Sequence, residues 1–221
     1  MKGTLYIVAT PIGNLSDLTF RAKQILESID LIACEDTRHT GILLRHYEIK
    51  TPMLSFHSHS GQAKVDKIMA YLKNGKDVAL ISDAGTPGIS DPGYNLVQAA
   101  LETGVEAIPI PGPSAVITAL CASGLPTDKF LYLGFLPVKK GRQTLFKKIA
   151  ENEYTVVFYE SPHRLRKTLS QLKDALPKEA KVVIAKELTK IHEAYIRGTV
   201  EEVINRLPEK PKGEYVVLIS L

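Results

Sequence analysis

The stretch VALISDAGTPGISDPG, Val78–Gly93, sets the reading of this chain. Val78–Ser82 is a short run of β-branched and apolar residues, the signature of a buried strand. It opens directly into a loop carrying Gly85, Gly88 and Gly93 with Pro87 and Pro92. Such a loop turns tightly, and its glycines let backbone approach a ligand that a Cβ would push away. In a parallel sheet, ligands gather outside the carboxyl ends of the strands.

The same design repeats outward from this stretch. Strands are expected at Leu5–Ala9, Asp30–Cys34, Met53–Phe56 and Val105–Ile110, with helices near Leu18–Ser28, Ala63–Asn74, Pro92–Thr103 and Ser114–Ala122. The first strand leads into TPIGNLSDLT (Thr10–Thr19), the second into CEDTR (Cys34–Arg38), and the fifth into PGPSA (Pro111–Ala115). Alternation of short strands with longer amphipathic stretches is the pattern of βα units. After SGLPTD (Ser123–Asp128) it restarts. Strands are expected at Phe130–Leu136, Thr155–Tyr159, Val182–Lys186, Ala194–Arg197 and Tyr215–Leu221, and helices at Arg142–Glu151, Arg164–Leu176 and Val200–Leu207. The sequence therefore predicts two α/β domains, residues 1–122 and 129–221, joined by a turn-rich linker at 123–128.

The chain has 221 residues, enough for two such cores. No apolar run approaches the roughly 18 to 20 residues that span a bilayer, and the opening MKGTLYIVATPIGN has no signal-peptide cleavage region. A cytoplasmic protein is the expectation. Cys34 and Cys121 both lie in apolar surroundings and read as buried free thiols, too few for a disulfide framework or a zinc site. No metal is expected. Residues 1–110 carry 10 Lys and Arg against 12 Asp and Glu, whereas residues 111–221 carry 18 against 12. The basic excess clusters at Lys139, Lys140, Arg142, Lys147 and Lys148, then at His163, Arg164, Arg166 and Lys167. Phosphate attraction accounts for such clustering, and so does a solvated helix face.

Several strand ends carry residues able to move protons. Asp83 is placed to accept hydrogen bonds from a ribose or to offset a cofactor's positive charge, while Asp91, just before Pro92, reads as a helix N-cap. FYESPHR (Phe158–Arg164) and KELTKIHE (Lys186–Glu193) add Glu160, His163, Lys186, Glu187, Lys190 and His192. Taken singly, each is also an ordinary loop or helix-start residue. A dinucleotide site needs G-x-G-x-x-G opening the first helix, and a Walker loop needs GK[ST]. TPIGNLSD supplies neither.

Together, TPIGNLSDLTFRA, ACEDTRHT, SDAGTPGISDPG, PGPSA, SGLP with GFLP, FYESPHR and KELTKIHE closely resemble the ribosomal RNA small-subunit methyltransferase I family, a branch of the tetrapyrrole methylase-like enzymes. The resemblance runs from Gly3 to Leu221. It implies two α/β domains of the tetrapyrrole methylase type with S-adenosyl-L-methionine in a cleft between them. It also implies a homodimer, and 2'-O-methylation of a decoding-centre cytidine in 16S rRNA of the small ribosomal subunit. Carried onto this sequence, cofactor contacts fall on Pro11, Gly13, Ser82, Asp83, Ala84, Ile89, Ser114 and Ala115, and on Tyr159 and Leu188, with Glu160 and Glu187 as neighbours of the last two. Glu35, Asp36 and Arg38, with Lys186, Glu187, Lys190 and His192, are the expected acceptor-side groups. Members of the family commonly continue past this domain, so RNA contacts from such a tail would be missing in a chain ending at Leu221. Two other readings stay open. One is a tetrapyrrole C-methyltransferase, whose first loop would read GxGxG followed by LT; the other is a non-catalytic RNA-binding assembly protein.

Overall fold

The computed structural model describes residues 1–57 and 60–221. They form two compact units, Met1–Ser114 and Ala115–Leu221.

In the first unit, five parallel strands stand in the order β3-β2-β4-β1-β5: β1 (Leu5–Val8), β2 (Leu31–Cys34), β3 (Met53–Ser55), β4 (Val78–Ile81) and β5 (Ala107–Ile110). Strand side chains alternate between faces, and the packing follows that period. Leu31 and Ala33 of β2 and Val78 and Leu80 of β4 join a core with α3 (Gln62–Lys73) and α4 (Tyr94–Glu102). Their neighbours Ile32, Cys34, Ala79 and Ile81 join a second core with α1 (Phe20–Ser28) and α2 (Thr37–His46). Both faces are covered, which is why these strands read as continuous apolar runs.

Helix α2 is absent from the sequence-based expectation. TRHTGILLRH is polar and holds a glycine, and only Thr40, Leu43 and Leu44 are buried. Its start signal is Asp36, whose side chain accepts from Arg38 N at 2.8 Å as an N-cap. Within EDTR that residue reads as chemistry rather than as a cap.

The connection from β2 runs outward to β3, while that from β4 runs the other way to β5. Adjacent strands whose connections diverge open a crevice at their carboxyl ends. EDTR and SDAGTP meet there.

The second unit departs from a parallel pattern. Its strands, β6 (Phe130–Phe135), β7 (Thr155–Glu160), β8 (Lys181–Lys186), β9 (Ala194–Thr199) and β10 (Tyr215–Ser220), stand in the order β6-β7-β10-β8-β9. Of these, β6 and β7 pair in parallel, whereas β7, β10, β8 and β9 pair antiparallel in turn. Helices α6 (Arg142–Ala150), α7 (Pro162–Ala175) and α8 (Val200–Arg206) cover one face around Phe146, Phe158, Leu169 and Val217.

Helix α5 (Ala115–Cys121) packs against β10, so the division falls after Ser114 and not within 123–128. Hydrogen bonds hold it there. Tyr195 Oη donates to Thr118 O at 3.1 Å, and the Arg197 guanidinium donates to the Ala122 and Ser123 carbonyls. These bonds join residues some 75 positions apart in sequence, beyond the reach of local pattern. Cys34 is buried as expected, but Cys121, at the end of α5, is exposed.

Among the described residues no helix is long and apolar enough to cross a membrane, and no group of three or more His, Cys, Asp or Glu is arranged to hold a metal.

Candidate functional site

In the first unit the loops that follow four strands are sewn together by hydrogen bonds. Thr10, after β1, exchanges backbone bonds with Gly85, after β4: Thr10 N to Gly85 O at 2.9 Å and Gly85 N to Thr10 O at 3.0 Å. The Thr10 hydroxyl donates to Ser82 O, and the Thr86 hydroxyl donates to Pro113 O in the loop after β5. Asp36 N, after β2, donates to Asp83 Oδ1 at 3.1 Å. One continuous rim results.

The rim is acidic. Glu35, Asp83 and Asp91 interact electrostatically, and His57 lies close to Glu35. Burial, reinforced by Asp83, raises the Glu35 carboxyl above its ordinary value, with His57 pulling the other way. Burial with Glu35 and Asp83 nearby lifts Asp91 to about 6, although a hydrogen bond with Ser82 opposes the shift. Asp36 moves in the opposite direction. Its hydrogen bonds and ion pair with Arg38, at 2.8 Å, hold it at about 2. Asp36 therefore stays ionised and paired, while Asp91, at about 6, is a carboxylate able to exchange a proton near neutrality, and burial moves Glu35 in the same direction.

Asp91 is not the helix cap its sequence position suggests. The N-cap of α4 is Gly93, at φ 149°, where an added Cβ would lie 2.9 Å from Leu80 Cδ2. Burial and the turn at Pro92 place Asp91 among the other acids, a relation that needs β2 and β4 to be adjacent.

Beside the rim is a cavity of about 180 Å³. Pro11, Gly13, Ser82 and Asp83, all expected cofactor contacts, line it together with Thr10, Asn14, Leu15, Ile81 and the α2 residues His39, Thr40, Ile42 and Leu43. The α2 contribution is invisible in sequence for the reason that hid the helix itself. Ala84 and Ile89 are on the loop after β4, Ser114 is the last residue of the loop after β5, and Ala115 opens α5.

In the second unit the expected residues divide into anchors and exposed groups. The Glu160 side chain is fully buried: Oε1 accepts from Arg164 Nη2 and Ser161 N, each at 2.8 Å, and Oε2 accepts from the Thr168 hydroxyl at 2.6 Å. Arg142, also buried, reaches Thr168 Oγ1, Gln171 Oε1 and Pro137 O. With their polar atoms engaged in this way, Glu160 and Arg142 hold the fold and are not offered to a ligand. Arg166 likewise donates to the Ile204 and Leu207 carbonyls at the end of α8. Of the basic cluster, Lys139, Lys140, Lys147, Lys148, His163 and Lys167 are left exposed.

KELTK, after β8, is backbone-strained. Glu187 and Thr189 take positive φ, 49° and 66°, on either side of the buried Leu188. The Glu187 carboxylate accepts from Glu214 N at 2.9 Å and Lys190 Nζ at 3.1 Å. Burial alone would raise its pKa, but these bonds and the charges of Lys190 and Lys186 lower it. These contacts clamp the Glu187 carboxylate between Glu214 N and Lys190. Lys190 is shared between Glu187 and Glu214, whereas His192 is exposed. Tyr159 stacks edge-on with Tyr132 and packs on Phe135.

Comparison with known proteins agrees with this architecture. A profile of the family described as Tetrapyrrole (Corrin/Porphyrin) Methylases matches residues 4–204. A solved cobalt precorrin-4 methyltransferase of cobalamin biosynthesis superposes with a TM-score of 0.73 at 18% identity, over 98% of this chain and 94% of that one. A uroporphyrin-III C-methyltransferase from Thermus thermophilus gives 0.68 at 20%, over the same shares. At such identities the likeness shows the fold, which is that of the tetrapyrrole methylases. Sequence relatives are much nearer. The chain is 50% identical to the Ribosomal RNA small subunit methyltransferase I of Synechocystis sp., over 99% of its own length and 79% of that protein. It is 46% identical to the protein of the same name from Thermotoga maritima, over 99% and 98%. Within the tetrapyrrole methylase class, the chain belongs to the ribosomal RNA small subunit methyltransferase I family.

Proposed function

We propose that this protein transfers the methyl group of S-adenosyl-L-methionine to the 2'-hydroxyl of a cytidine in the decoding region of small-subunit ribosomal RNA. The observation that carries the reading is the hydrogen-bonded rim of the first unit, where Asp36–Asp83 and Thr10–Gly85 gather the loops after β1, β2 and β4 around partly buried carboxylates. Relatives named as small-subunit ribosomal RNA methyltransferases, at 46% and 50% identity over nearly the whole chain, supply the substrate class.

The donor set fits the cofactor. A sulfonium and an ammonium are cations, and Asp83 and Glu35 are anions in surroundings drier than water, where attraction is stronger. Gly13 and Gly85 allow close backbone approach. Pro11, Gly13, Ser82, Asp83, Ala84, Ile89, Ser114 and Ala115 are the proposed contacts, with Tyr159 and Leu188 from the second unit. When bound, S-adenosylmethionine supplies an electrophilic methyl carbon and a neutral leaving thioether.

The protein's task is then to hold a ribose oxygen in line with that carbon, at about 3 Å, and to take its proton. Glu35 is the residue of EDTR suited to accept the proton, because Asp36 is committed to Arg38. The exposed Lys139, Lys140, Lys147 and Lys148 meet the RNA phosphates. Lys186 and His192 stay in the proposal as acceptor-side groups.

Small subunits from a strain lacking the modification, incubated with labelled cofactor, test the reading directly. Nuclease digestion and mass spectrometry should place the methyl on a cytidine ribose. A methyl on a base, or no transfer, would overturn it.

A further inference from the structure

The loop between β6 and α6, residues 137–141, is gripped from beneath at both ends. At its entry Arg142 Nη1 donates to Pro137 O at 2.9 Å, and Arg164 Nη1 donates to Leu136 O at 3.3 Å. At its exit Arg142 is itself the first residue of α6. Both guanidiniums are tied to the buried Glu160. Arg164 Nη2 reaches Glu160 Oε1 directly at 2.8 Å, and Arg142 Nη2 donates to the Thr168 hydroxyl, which donates in turn to Glu160 Oε2. Gln171 Oε1 takes Arg142 Nε, and the guanidinium lies over the Phe146 ring. A buried ion network is a weak source of net stability, because apolar residues of similar volume commonly serve as well. What this one supplies is geometry: it fixes two consecutive carbonyls, and with them the direction in which residues 138–141 leave the fold.

Those residues are exposed. Val138 is 68% accessible and is followed by Lys139 and Lys140, while Phe135, just before the loop, is 59% accessible. Phe135 follows a bulge, for the pairing of β6 with β7 shifts register between Tyr132 and Phe135, and Gly134 takes φ 60°. Bulges re-aim the side chains beside them. The Phe135 ring packs on Tyr159, which packs edge-on against Tyr132, so it is backed by aromatic neighbours. Apolar residues scattered singly over a surface are ordinary. Here a supported aromatic ring, an aliphatic tip and two cations stand within six residues on one anchored segment. That combination suits single-stranded nucleic acid, whose bases stack on a ring while its phosphates meet lysines. Duplex RNA hides its base faces and offers mainly phosphates and 2'-hydroxyls.

We propose that this segment is a preset grip for unpaired RNA. Phe135 and Val138 bear on base faces, Lys139 and Lys140 on the flanking phosphates, and Arg142 and Arg164 are positioning residues that act through Pro137 and Leu136. The choice of RNA as partner rests on the methyl-transfer reading. None of the four contact residues is a proposed cofactor contact, so substitution separates the two kinds of binding.

The test is fluorescence anisotropy on the full chain with a labelled single-stranded oligoribonucleotide, and with a duplex of the same length, over a series of salt concentrations. The single strand should bind several-fold more tightly. Phe135→Ala should weaken its binding about tenfold, the effect of one lost stack, and leave the salt slope unchanged because stacking releases no counterion. Lys139→Ala combined with Lys140→Ala should flatten the slope by up to about 1.4 units. Because Glu160→Ala destabilises the whole unit, positioning is read from Arg164→Lys, which keeps the charge but lacks the planar fork that spans Glu160 and Leu136 O. Arg164→Lys should weaken RNA binding several-fold in the wild-type background. It should have almost no further effect once Phe135→Ala and Val138→Ala are present, a coupling that a merely structural role would not show. Cofactor affinity should stay within about twofold in every variant. Equal affinity for the duplex, full RNA affinity in Phe135→Ala, or additive effects of Arg164→Lys would each overturn the proposal. So would a change of oligomeric state in Phe135→Ala with RNA binding intact, which would give this face to a second copy of the chain. A grip with these properties on a protein that transfers no methyl group would leave the proposal standing and sink only the methyl-transfer reading.

Discussion

The backbone amide of Asp36 donates to Oδ1 of Asp83 at 3.1 Å, joining residues 47 positions apart across the crevice between β2 and β4. Asp83→Ala removes both this bond and the anion. Affinity for S-adenosylmethionine, measured by calorimetry, should fall at least tenfold, an effect of about 1.4 kcal/mol. Asp83→Asn keeps an acceptor and should lose less. An unchanged dissociation constant in Asp83→Ala would remove this residue from the cofactor site.

Asp91 titrates at about 6, above the ordinary aspartate value near 4. The native state thus binds this proton more tightly than the unfolded chain does. Its contribution to stability is complete below about pH 4 and is lost as pH rises through about 6. Relative to Asp91→Asn, the wild type should lose stability between those limits and run parallel above about pH 7. Urea unfolding at one-unit pH intervals checks the sign, and parallel curves throughout would show that Asp91 is not perturbed.

Glu160 is buried with Arg142, Arg164 and Thr168. Removing one member leaves the others without partners, at a typical loss of about 3 to 5 kcal/mol. Glu160→Ala should lower the denaturant midpoint of the second unit accordingly. A surface-like change below about 0.5 kcal/mol would mean that the network has dispersed into water.

Gly213 sits at φ 98°, and a Cβ there would lie 2.6 Å from Glu187 Cδ. Gly213→Ala should push the Glu187 carboxylate off Glu214 N and destabilise by about 1 to 3 kcal/mol, the cost of a strained backbone position. Faster amide exchange at Glu214 is the local readout.

Replacing Lys139, Lys140, Lys147 and Lys148 together by alanine should weaken RNA binding and flatten its dependence on salt, by up to about one unit of log–log slope for each phosphate no longer neutralised. Cofactor affinity should not change. An unaltered salt slope would assign these lysines to a solvated face only.

The strands and most helices are legible along the chain because their signals are local: short apolar runs, caps and glycine–proline turns between them. The loops that carry chemistry are marked in the same way, since residues outside the periodic pattern stand at the ends of β1, β2 and β4. Helix α2 escapes such reading, because its narrow apolar stripe of Leu43 and Leu44 is interrupted by polar residues. So do the packing of α5 on β10 and the mostly antiparallel second sheet, whose pairing partners lie far apart along the chain. The division of labour among the acids emerges only on folding. Asp36, Asp83, Asp91, Glu160 and Glu187 are equivalent carboxylates in one dimension. Folding pairs Asp36 with Arg38, buries Glu160 among arginines, clamps Glu187 to Lys190, and leaves Glu35 and Asp91 in partly dry surroundings beside Asp83. Burial and neighbouring charge set a carboxylate's chemistry, and both are properties of position in space.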